Sequence, residues 1–239
     1  MPTLETEHSL IGQGAASVGG MDEVGRGALA GPVCVGVVAV DAETPPPPTG
    51  LADSKLLTRA QRLHLVPRLA EWGIGRSLGW ASAPEVDQHG IVGALHLAGR
   101  RALAGLGQWL ADAPGDGPAH GPALRPAPGP ETIILDGKHN WLSPAADLFA
   151  AEPEAPWRVH MKVKADLRCA SVAAASVLAK VARDARMDEL AQAWPDYGWE
   201  ANKGYGSPAH LAALRRHGPS PEHRQSWALP SQDGPDVRG

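Results

Sequence analysis

Apolar residues along this chain follow two patterns: short runs rich in Val and Ile, and longer stretches with helical spacing. The short runs predict β-strands, at 17–24, 33–41, 74–82, 132–137 ("TIILDG") and 157–166 ("WRVHMKVKAD"). The longer stretches predict helices, at 58–73, 83–106, 169–194 and 207–217. Because strands come first and later alternate with helices, we expect an α/β fold with a mixed sheet covered by helices.

Local signals refine three of these helices. Thr58 is a plausible N-cap of the first and Gly73 its stop, and Pro67 should kink it. The stretch 83–106 reads as one or two helices. In the alanine-rich helix, the small residues 173–176 should let it approach the sheet closely.

The remaining segments set the expected boundaries. Residues 1–16 lack a periodic pattern and are expected to form a loose N-terminal extension. Residues 107–131 are mostly Gly, Pro and Ala and are expected to form a surface loop, because a strand resumes directly after them. Residues 229–239 form a polar tail. We therefore expect one domain over 17–228.

Composition narrows the class of protein. The 239 residues include 43% hydrophobic and 20% charged residues, as in an ordinary globular protein. The net charge of −4 argues against binding nucleic acid by bulk charge alone. Without a signal peptide or a long apolar run, we expect a soluble cytoplasmic protein that does not enter membranes. Cys34 and Cys169 lie in apolar segments and read as small buried residues.

Four acidic residues lie where an apolar strand ends or a helix begins: Asp22, Glu23, Asp136 and Asp166. If they converge, each pair at 4 Å would repel by about 4 kcal/mol at an effective dielectric constant near 20. Bound divalent cations such as Mg²⁺ would relieve that repulsion, and two such ions can catalyse phosphodiester hydrolysis.

Structural explanations remain open at this point. Asp166 can be a helix N-cap, and Asp136 before Gly137 is a common turn signature. Side chains of neighbouring residues on a regular strand leave opposite faces, which counts against Asp22 and Glu23 reaching one site. A strand end or bulge at the following glycines could restore a common direction.

Five motifs occur in an order that resembles the type 2 ribonuclease H family, in its bacterial ribonuclease HII branch. They are "MDEVGRG", "LADSKLL", "IILDGKHN", "VKADLRCASVAAASVLAKVARD" and "KGYGSPAHLAALRRHGPSPEHRQSW". The resemblance covers about residues 18–227 apart from the Gly/Pro-rich loop. It implies a ribonuclease H-like fold with a mixed central sheet, flanking helices and a helical C-terminal part.

The resemblance also implies an activity. The family hydrolyses the RNA strand of RNA–DNA hybrids and incises duplex DNA 5′ to a single embedded ribonucleotide, leaving 3′-hydroxyl and 5′-phosphate ends. The family's catalytic carboxylates match Asp22, Glu23, Asp136 and Asp166, which would hold Mg²⁺ or Mn²⁺, two ions with substrate bound. These ions would position and deprotonate the attacking water.

Substrate contacts are implied in the same way. The segment Gly25-Arg26-Gly27 matches the family's reader of the ribose 2′-hydroxyl, and glycine permits the close backbone approach that this requires. Tyr205 matches the tyrosine that packs on the neighbouring sugar. Ser54 and Lys55 match a phosphate-contacting motif. Further backbone contacts are expected from Lys180, Arg183, Lys203, His223 and Arg224, whereas His210 is expected to be structural.

Some positions depart from the family pattern. Leu56 stands where a second lysine is usual and should weaken one phosphate contact; Ser207 replaces a common threonine and Trp227 a phenylalanine. The presence of Arg26 and the short N-terminal segment argue against the ribonuclease HIII subtype. The tail lacks the paired aromatics of a sliding-clamp-binding peptide, and we expect a monomer. Two alternatives stay open: a related two-metal nuclease of DNA junctions, and a non-catalytic binder of RNA–DNA hybrids.

Overall fold

A computed structural model describes residues 1–112, 129–143 and 157–230. These residues form a five-stranded sheet with strands β1 Val18–Val24, β2 Val33–Val40, β3 Gly75–Ala81, β4 Thr132–Asp136 and β5 Arg158–Lys162. All five agree with the predicted strands to within a few residues, β5 being shorter than predicted.

The sheet is mixed, with the order β3-β2-β1-β4-β5. Strands β1, β2 and β3 form an antiparallel meander, whereas β4 lies parallel to β1 on its other side and β5 lies parallel to β4. The central strand β1 therefore ends at the same edge of the sheet as β4 and β5. Because functional groups in α/β sheets collect beyond the carboxyl ends of strands, this edge is where a site is expected.

The described residues also form six α-helices: α1 Glu5–Gly12, α2 Arg59–Ala70, α3 Ala83–Asp112, α4 Ala170–Ala193, α5 Trp199–Asn202 and α6 Pro208–His217. Helix α2 begins at the predicted cap, where Thr58 and Gln61 form a capping box, and it continues through Pro67. Helix α3 is one helix interrupted at Gly90, whose φ is 67°. Short 3-10 turns lie at Ser54–Leu56, Ala165–Leu167 and Pro195–Tyr197.

The alanine-rich helix α4 lies against the centre of one face of the sheet. A Cβ on Gly20 of β1 would stand 2.3 Å from Ser171 Oγ, and one on Gly36 of β2 would stand 2.5 Å from the carbonyl oxygen of Ala175. This confirms the predicted close approach, which requires small residues on both elements. Helices α1 and α2 complete this layer, and α3 covers the opposite face.

Two expectations about segments were wrong. Residues 5–12 form α1 rather than a loose extension, and Leu4 lies in the core beneath α4. Helix α3 runs to Asp112, so the first residues of the predicted loop at 107–131 are helical. Residues 113–128 of that loop, and residues 231–239 of the predicted tail, lie outside the described residues.

The apolar residues of the C-terminal helices form a separate buried cluster. Helices α5 and α6 pack their apolar residues against the second half of α4, with Trp199 fully buried. Cys34 and Cys169 are buried free thiols, as expected. Within the described chain, none of the helices combines the length and hydrophobicity needed to cross a membrane.

Candidate active site at the carboxyl ends of two parallel strands

Asp22 and Asp136 stand side by side at the ends of β1 and β4. The parallel register pairs Met21 with Leu135, and each aspartate is the next residue along its strand. Met21 and Leu135 both point into the core beneath α3. Because successive side chains alternate between faces, the two aspartates leave the sheet on the face covered by α4.

Asp166 reaches the same place from the 3-10 turn that precedes α4. The turn is tied to β4, since the backbone N–H of Ala165 donates to Asp136 Oδ1 over 2.7 Å. Asp166 is itself buried, and its Oδ2 lies 3.5 Å from Lys55 Nζ. The structure thus brings together three of the predicted carboxylates and the predicted lysine.

Glu23 joins the group from the other face of β1. Pairing with β2 continues without interruption through Glu23, and β1 ends at Val24, directly before Gly25, which is the strand end that was one of the two predicted alternatives. The side chain still comes near Asp136: burial is the main cause that raises the pKa of Glu23, and the negative charge of Asp136 adds to the rise. Arg26 partly compensates this charge, with Nη1 donating to Glu23 Oε1 over 3.2 Å.

Burial and the charges of neighbouring carboxylates raise the pKa values of Asp22, Glu23 and Asp166. Burial is the main cause that raises the pKa of Asp22 to about 7; Glu23 and Asp136 add to the rise, and a hydrogen bond from Ser176 and the charge of Lys55 oppose it. Burial likewise raises the pKa values of Glu23 and Asp166, with Asp136 contributing to both. The positive charges nearby do not fully offset the buried negative ones, so the site favours an added cation.

The donor set fits a hard divalent ion. Carboxylate oxygens are the preferred ligands of Mg²⁺ and Mn²⁺, and Mg²⁺ uses only one or two of them while keeping several waters. Over residues 1–112, 129–143 and 157–230, no three acidic, histidine or cysteine side chains are already arranged so that they could hold a metal ion. Asp136 is instead engaged by the Ala165 N–H and Asp166 by Lys55.

The Gly25-Arg26-Gly27 loop follows β1 directly and borders the carboxylates. Gly25 is needed for the fold, because its φ is 88° and a Cβ there would stand 2.0 Å from Arg183 Nε. Gly27 differs: its φ is not positive, and no described heavy atom lies within 4 Å of where its Cβ would stand. The Arg26 side chain is 45% exposed.

Two fully buried arginines support this loop and the residues that follow it. Arg224 donates to the carbonyl oxygens of Gly25 at 2.6 Å and Arg26 at 2.9 Å, and also to that of Gly31. Arg183 donates to the carbonyls of Ala30, Pro32 and Lys203. The expectation that these arginines contact the nucleic-acid backbone was wrong, since both are 0% exposed.

The three other residues expected to make such contacts have partners within the protein. Lys180 pairs with Asp184 over 2.6 Å, Lys203 pairs with Asp188, and His223 is buried. Sequence reasoning missed the role of Arg183 and Arg224 as supports of the loop.

Tyr205 lies beside the same loop and is 39% exposed. The Leu29 N–H donates to the carbonyl of Gly204 over 2.8 Å, which joins the tyrosine segment to the end of the glycine loop. The guanidinium of Arg183 stands 5.6 Å from the centre of the Tyr205 ring. One buried arginine therefore supports both predicted sugar-reading elements.

Of the two residues that match the phosphate-contacting motif, Ser54 and Lys55, the lysine presents its side chain to solvent. That side chain is 73% exposed, whereas Ser54 is buried and its hydroxyl lies 2.8 Å from Ser176 Oγ. Asp53 caps the turn by accepting from the Lys55 N–H over 2.9 Å. This Asp-Ser-Lys turn signature could have identified Asp53 as the residue that orients the turn.

Two buried histidines link the tyrosine segment to the C-terminal segment. His210 Nδ1 lies 2.9 Å from the carbonyl oxygen of Tyr205, so Nδ1 carries the proton and Nε2 accepts from Trp199 Nε1 and from His223 Nε2. His223 Nδ1 in turn accepts from the N–H of Ser220. The bonds in which His210 Nε2 and His223 Nδ1 accept require neutral imidazoles, and the burial of these bonds supports the expectation that His210 is structural.

Acidification is therefore expected to destabilise the protein through His223. The raised pKa of Asp22 acts in the opposite direction over the same range, so the effect of His223 is the difference in pH dependence between wild type and a His223 variant. Burial, aided by His210, lowers the pKa of His223 from 6.5 to about 4. The unfolded chain binds this proton near pH 6.5 and the folded chain only near pH 4, so stability is complete above 6.5 and is lost as the pH falls between these values. We expect the free energy of unfolding to fall by about 2 kcal/mol between pH 7.5 and 5.0 from this group.

Urea denaturation at the two pH values measures this change. In His223→Gln the free energy of unfolding should fall less on acidification than in wild type, although this variant is less stable at pH 7.5. His8→Gln, at an exposed histidine, serves as the control and should behave as wild type. The same pH dependence in His223→Gln as in wild type would contradict the assignment.

Comparisons with known proteins agree with the geometry. The sequence model of the family described as Ribonuclease HII matches residues 19–108 and 130–229. Ribonuclease HII of Streptomyces coelicolor is 44% identical over 228 residues, covering 95% of this chain and 84% of its own. Ribonuclease HII of Roseobacter denitrificans is 42% identical over 214 residues, covering 90% and 91%.

Solved structures share the fold. The ribonuclease H2 of Pyrococcus horikoshii OT3 superimposes with a TM-score of 0.57 at 25% identity, covering 89% of this chain and 94% of its own. Bst-RNase HIII, solved in complex with Mn²⁺, gives 0.58 at 26% identity, covering 91% and 67%. With a family match over most of its length and relatives above 40% identity, the chain belongs to the ribonuclease HII family.

Proposed function

We propose that this chain hydrolyses the RNA strand of RNA–DNA hybrids and incises duplex DNA on the 5′ side of a single embedded ribonucleotide, leaving 3′-hydroxyl and 5′-phosphate ends. The observation that carries the proposal is the position of the carboxylate group directly beside the Gly25-Arg26-Gly27 loop. A group suited to phosphodiester hydrolysis thus adjoins a segment able to approach a sugar closely.

Asp22, Glu23, Asp136 and Asp166 are the residues that would hold Mg²⁺ or Mn²⁺. When bound, such ions lower the pKa of a water molecule and stabilise the leaving oxygen. The chain itself contributes a buried setting in which electrostatic interactions are strong, and two strand ends and one helix start that fix the spacing of the carboxylates. Asp22, at the centre of the group, is the residue on which we expect catalysis to depend most.

Recognition of ribose would come from the adjacent loop. The fold does not require a glycine at position 27, as the space around its missing side chain is open. A sugar and its 2′-hydroxyl can approach backbone groups there without meeting a Cβ. Arg26 is exposed enough to reach a phosphate, and the exposed Tyr205 ring can pack on the neighbouring deoxyribose.

The exposed turn at Lys55 and Leu56 offers a test of phosphate contact. Leu56 is 69% exposed next to Lys55, and Leu56→Lys would add a positive charge where nucleic acid is proposed to bind. We expect hybrid binding to tighten about threefold to tenfold at low salt, and the salt dependence of log K to steepen by about one.

Fluorescence anisotropy over a range of salt concentrations measures both effects. Leu63→Lys, at a leucine 50% exposed on α2, adds the same charge elsewhere and should change neither. Equal effects of the two variants would argue that nucleic acid does not contact the Lys55 turn.

Activity is tested on a labelled RNA–DNA hybrid with Mg²⁺, with Mn²⁺ and with excess EDTA, alongside an all-DNA duplex. We expect metal-dependent cleavage of the RNA strand alone. Cleavage of the all-DNA duplex or of a DNA junction would favour a junction nuclease. Tight binding without cleavage at any metal concentration would favour a non-catalytic hybrid binder.

A further inference from the structure

Residues near the N-terminus of the chain cap helix α4, although they are distant from it in sequence. In the described structure Cys169 gives α4 no side-chain cap. The first N–H groups of the helix instead find partners near the N-terminus: that of Ala170 donates to the carbonyl of Thr3, and that of Ser171 to Glu7 Oε1, both over 2.9 Å. The Ser171 hydroxyl also donates to Glu7 Oε1, over 2.7 Å.

Capping α4 with the carboxylate of Glu7 has a free-energy cost, because the carboxylate is buried. The residue is 0% exposed, and its second carboxylate oxygen, Oε2, has no hydrogen-bond partner among the described residues. A carboxylate is favoured at a helix N-terminus, but a serine or aspartate at position 169 would cap the helix locally without burying an unpartnered oxygen. Helix stability alone therefore does not account for Glu7.

Asp166 lies in the 3-10 turn directly before the helix start that Glu7 caps. The Thr3 N–H donates to the carbonyl of Arg168 over 2.9 Å, so the N-terminal segment bonds to the chain on both sides of Cys169. Thr6 accepts from Lys162 Nζ over 2.7 Å, and Lys162 is the partner of Asp136 in the β4–β5 register. The segment thus ties the chain just after Asp166 to β5, the strand that pairs with the Asp136-bearing strand β4.

Helix α4 also packs directly against the strand that bears Asp22, so the position of the helix affects Asp22 as well. Ser171 lies directly against Gly20 of β1, two residues before Asp22, and the carbonyl of Ala175 lies against Gly36, the residue of β2 that pairs with Asp22. A shift of the helix start along or away from the sheet would change the distances between all three aspartates.

We propose that Glu7 is a positioning residue of the active site, which holds the start of α4 so that Asp166 and Asp136 can share a divalent ion. The inference rests on the proposed function of these carboxylates. Groups that orient metal ligands typically change metal affinity tenfold to a hundredfold when they are removed, without touching the metal or the substrate.

The experiment compares Glu7→Ala and Glu7→Gln with Glu5→Ala, at an exposed glutamate of the same helix. Four quantities are measured on the full chain: Mn²⁺ affinity by calorimetry without substrate, the Mn²⁺ concentration for half-maximal hybrid cleavage, hybrid affinity in EDTA, and Tm. For Glu7→Ala we expect the Mn²⁺ affinity to fall roughly tenfold and the Mn²⁺ concentration for half-maximal cleavage to rise roughly tenfold. Hybrid affinity in EDTA should stay within about twofold of wild type, because the substrate-binding loop is held separately by Arg183 and Arg224.

Glu7→Gln keeps one acceptor oxygen and the side-chain volume, so it should lie between wild type and Glu7→Ala in both Mn²⁺ measures. It also carries the test if Glu7→Ala does not fold. Mn²⁺ measures in the folded Glu7 variants equal to those of Glu5→Ala, with only Tm lowered, would overturn the proposal and leave Glu7 a purely structural residue. Absence of cleavage by the wild type would instead overturn the proposed function, and the calorimetric comparison would still decide the role of Glu7.

Discussion

Asp22→Asn is expected to reduce hybrid cleavage by at least about a thousandfold, equivalent to about 4 kcal/mol of transition-state stabilisation. Asp22 is 5% exposed and lies at the centre of the carboxylate group, between Glu23 on its own strand and Asp136 on the next. An amide keeps the shape of the side chain but loses the charge that attracts a divalent ion. The fold should be retained, because the substitution removes a buried charge that burial and its neighbours both disfavour.

The measurement is single-turnover cleavage of a labelled hybrid, with hybrid binding in EDTA measured on the same preparations. Asp41→Asn is the matched control, since Asp41 directly follows β2 at the opposite edge of the sheet and should retain full activity. A parallel loss of binding and cleavage in Asp22→Asn would point to a damaged fold, and full activity would exclude Asp22 from the chemistry.

Alanine substitutions at the two glycines of the Gly25-Arg26-Gly27 loop are expected to affect different properties, stability for Gly25 and cleavage for Gly27. Gly25→Ala should lower the free energy of unfolding by about 3 kcal/mol, from a left-handed backbone and from displacement of Arg183, which donates to three carbonyls. Gly27→Ala should leave that free energy unchanged to within about 0.5 kcal/mol, because the added methyl group meets only open space.

The cleavage rate, unlike the stability, should be strongly affected by Gly27→Ala. Its methyl group would stand where the sugar is proposed to approach, so we expect incision at a single ribonucleotide to fall more than about tenfold in a fully folded protein. Urea denaturation and cleavage rates on the same samples separate the two effects. A Gly27→Ala enzyme with wild-type rates would show that the backbone at this position does not approach the ribose.

The position of the acidic group could be predicted because it depends on local pattern. Asp22 and Asp136 each end a short apolar run, and strand ends in an α/β sheet share an edge when the strands are parallel. The faces from which Asp22 and Glu23 project also follow from strand geometry. The bulge hypothesis was unnecessary because Glu23 comes near Asp136 from the other side of the strand.

The supports of the site could not be predicted, because their partners are distant in sequence. Arg224 donates to the carbonyl of Gly25 across 199 positions, and Ser171 to Glu7 across 164. An arginine in a polar segment is ordinarily solvated, and nothing in its neighbours indicates that it will be enclosed by carbonyl groups. Helix α1 escaped notice for a similar reason: it is weakly amphipathic and is held by tertiary contacts of Leu4 and Glu7 rather than by a strong helical pattern.

The most direct test of the account is the mapping of the cut on a labelled DNA duplex that carries one ribonucleotide, in the presence of Mg²⁺ or Mn²⁺. The account predicts a single incision on the 5′ side of the ribonucleotide, with 3′-hydroxyl and 5′-phosphate ends, and no incision of the same duplex with deoxyribose at that position. Incision of the all-DNA duplex, or a cut on the 3′ side that uses the 2′-hydroxyl as nucleophile, would contradict both the metal-based chemistry of the four carboxylates and the reading of ribose by the adjacent loop.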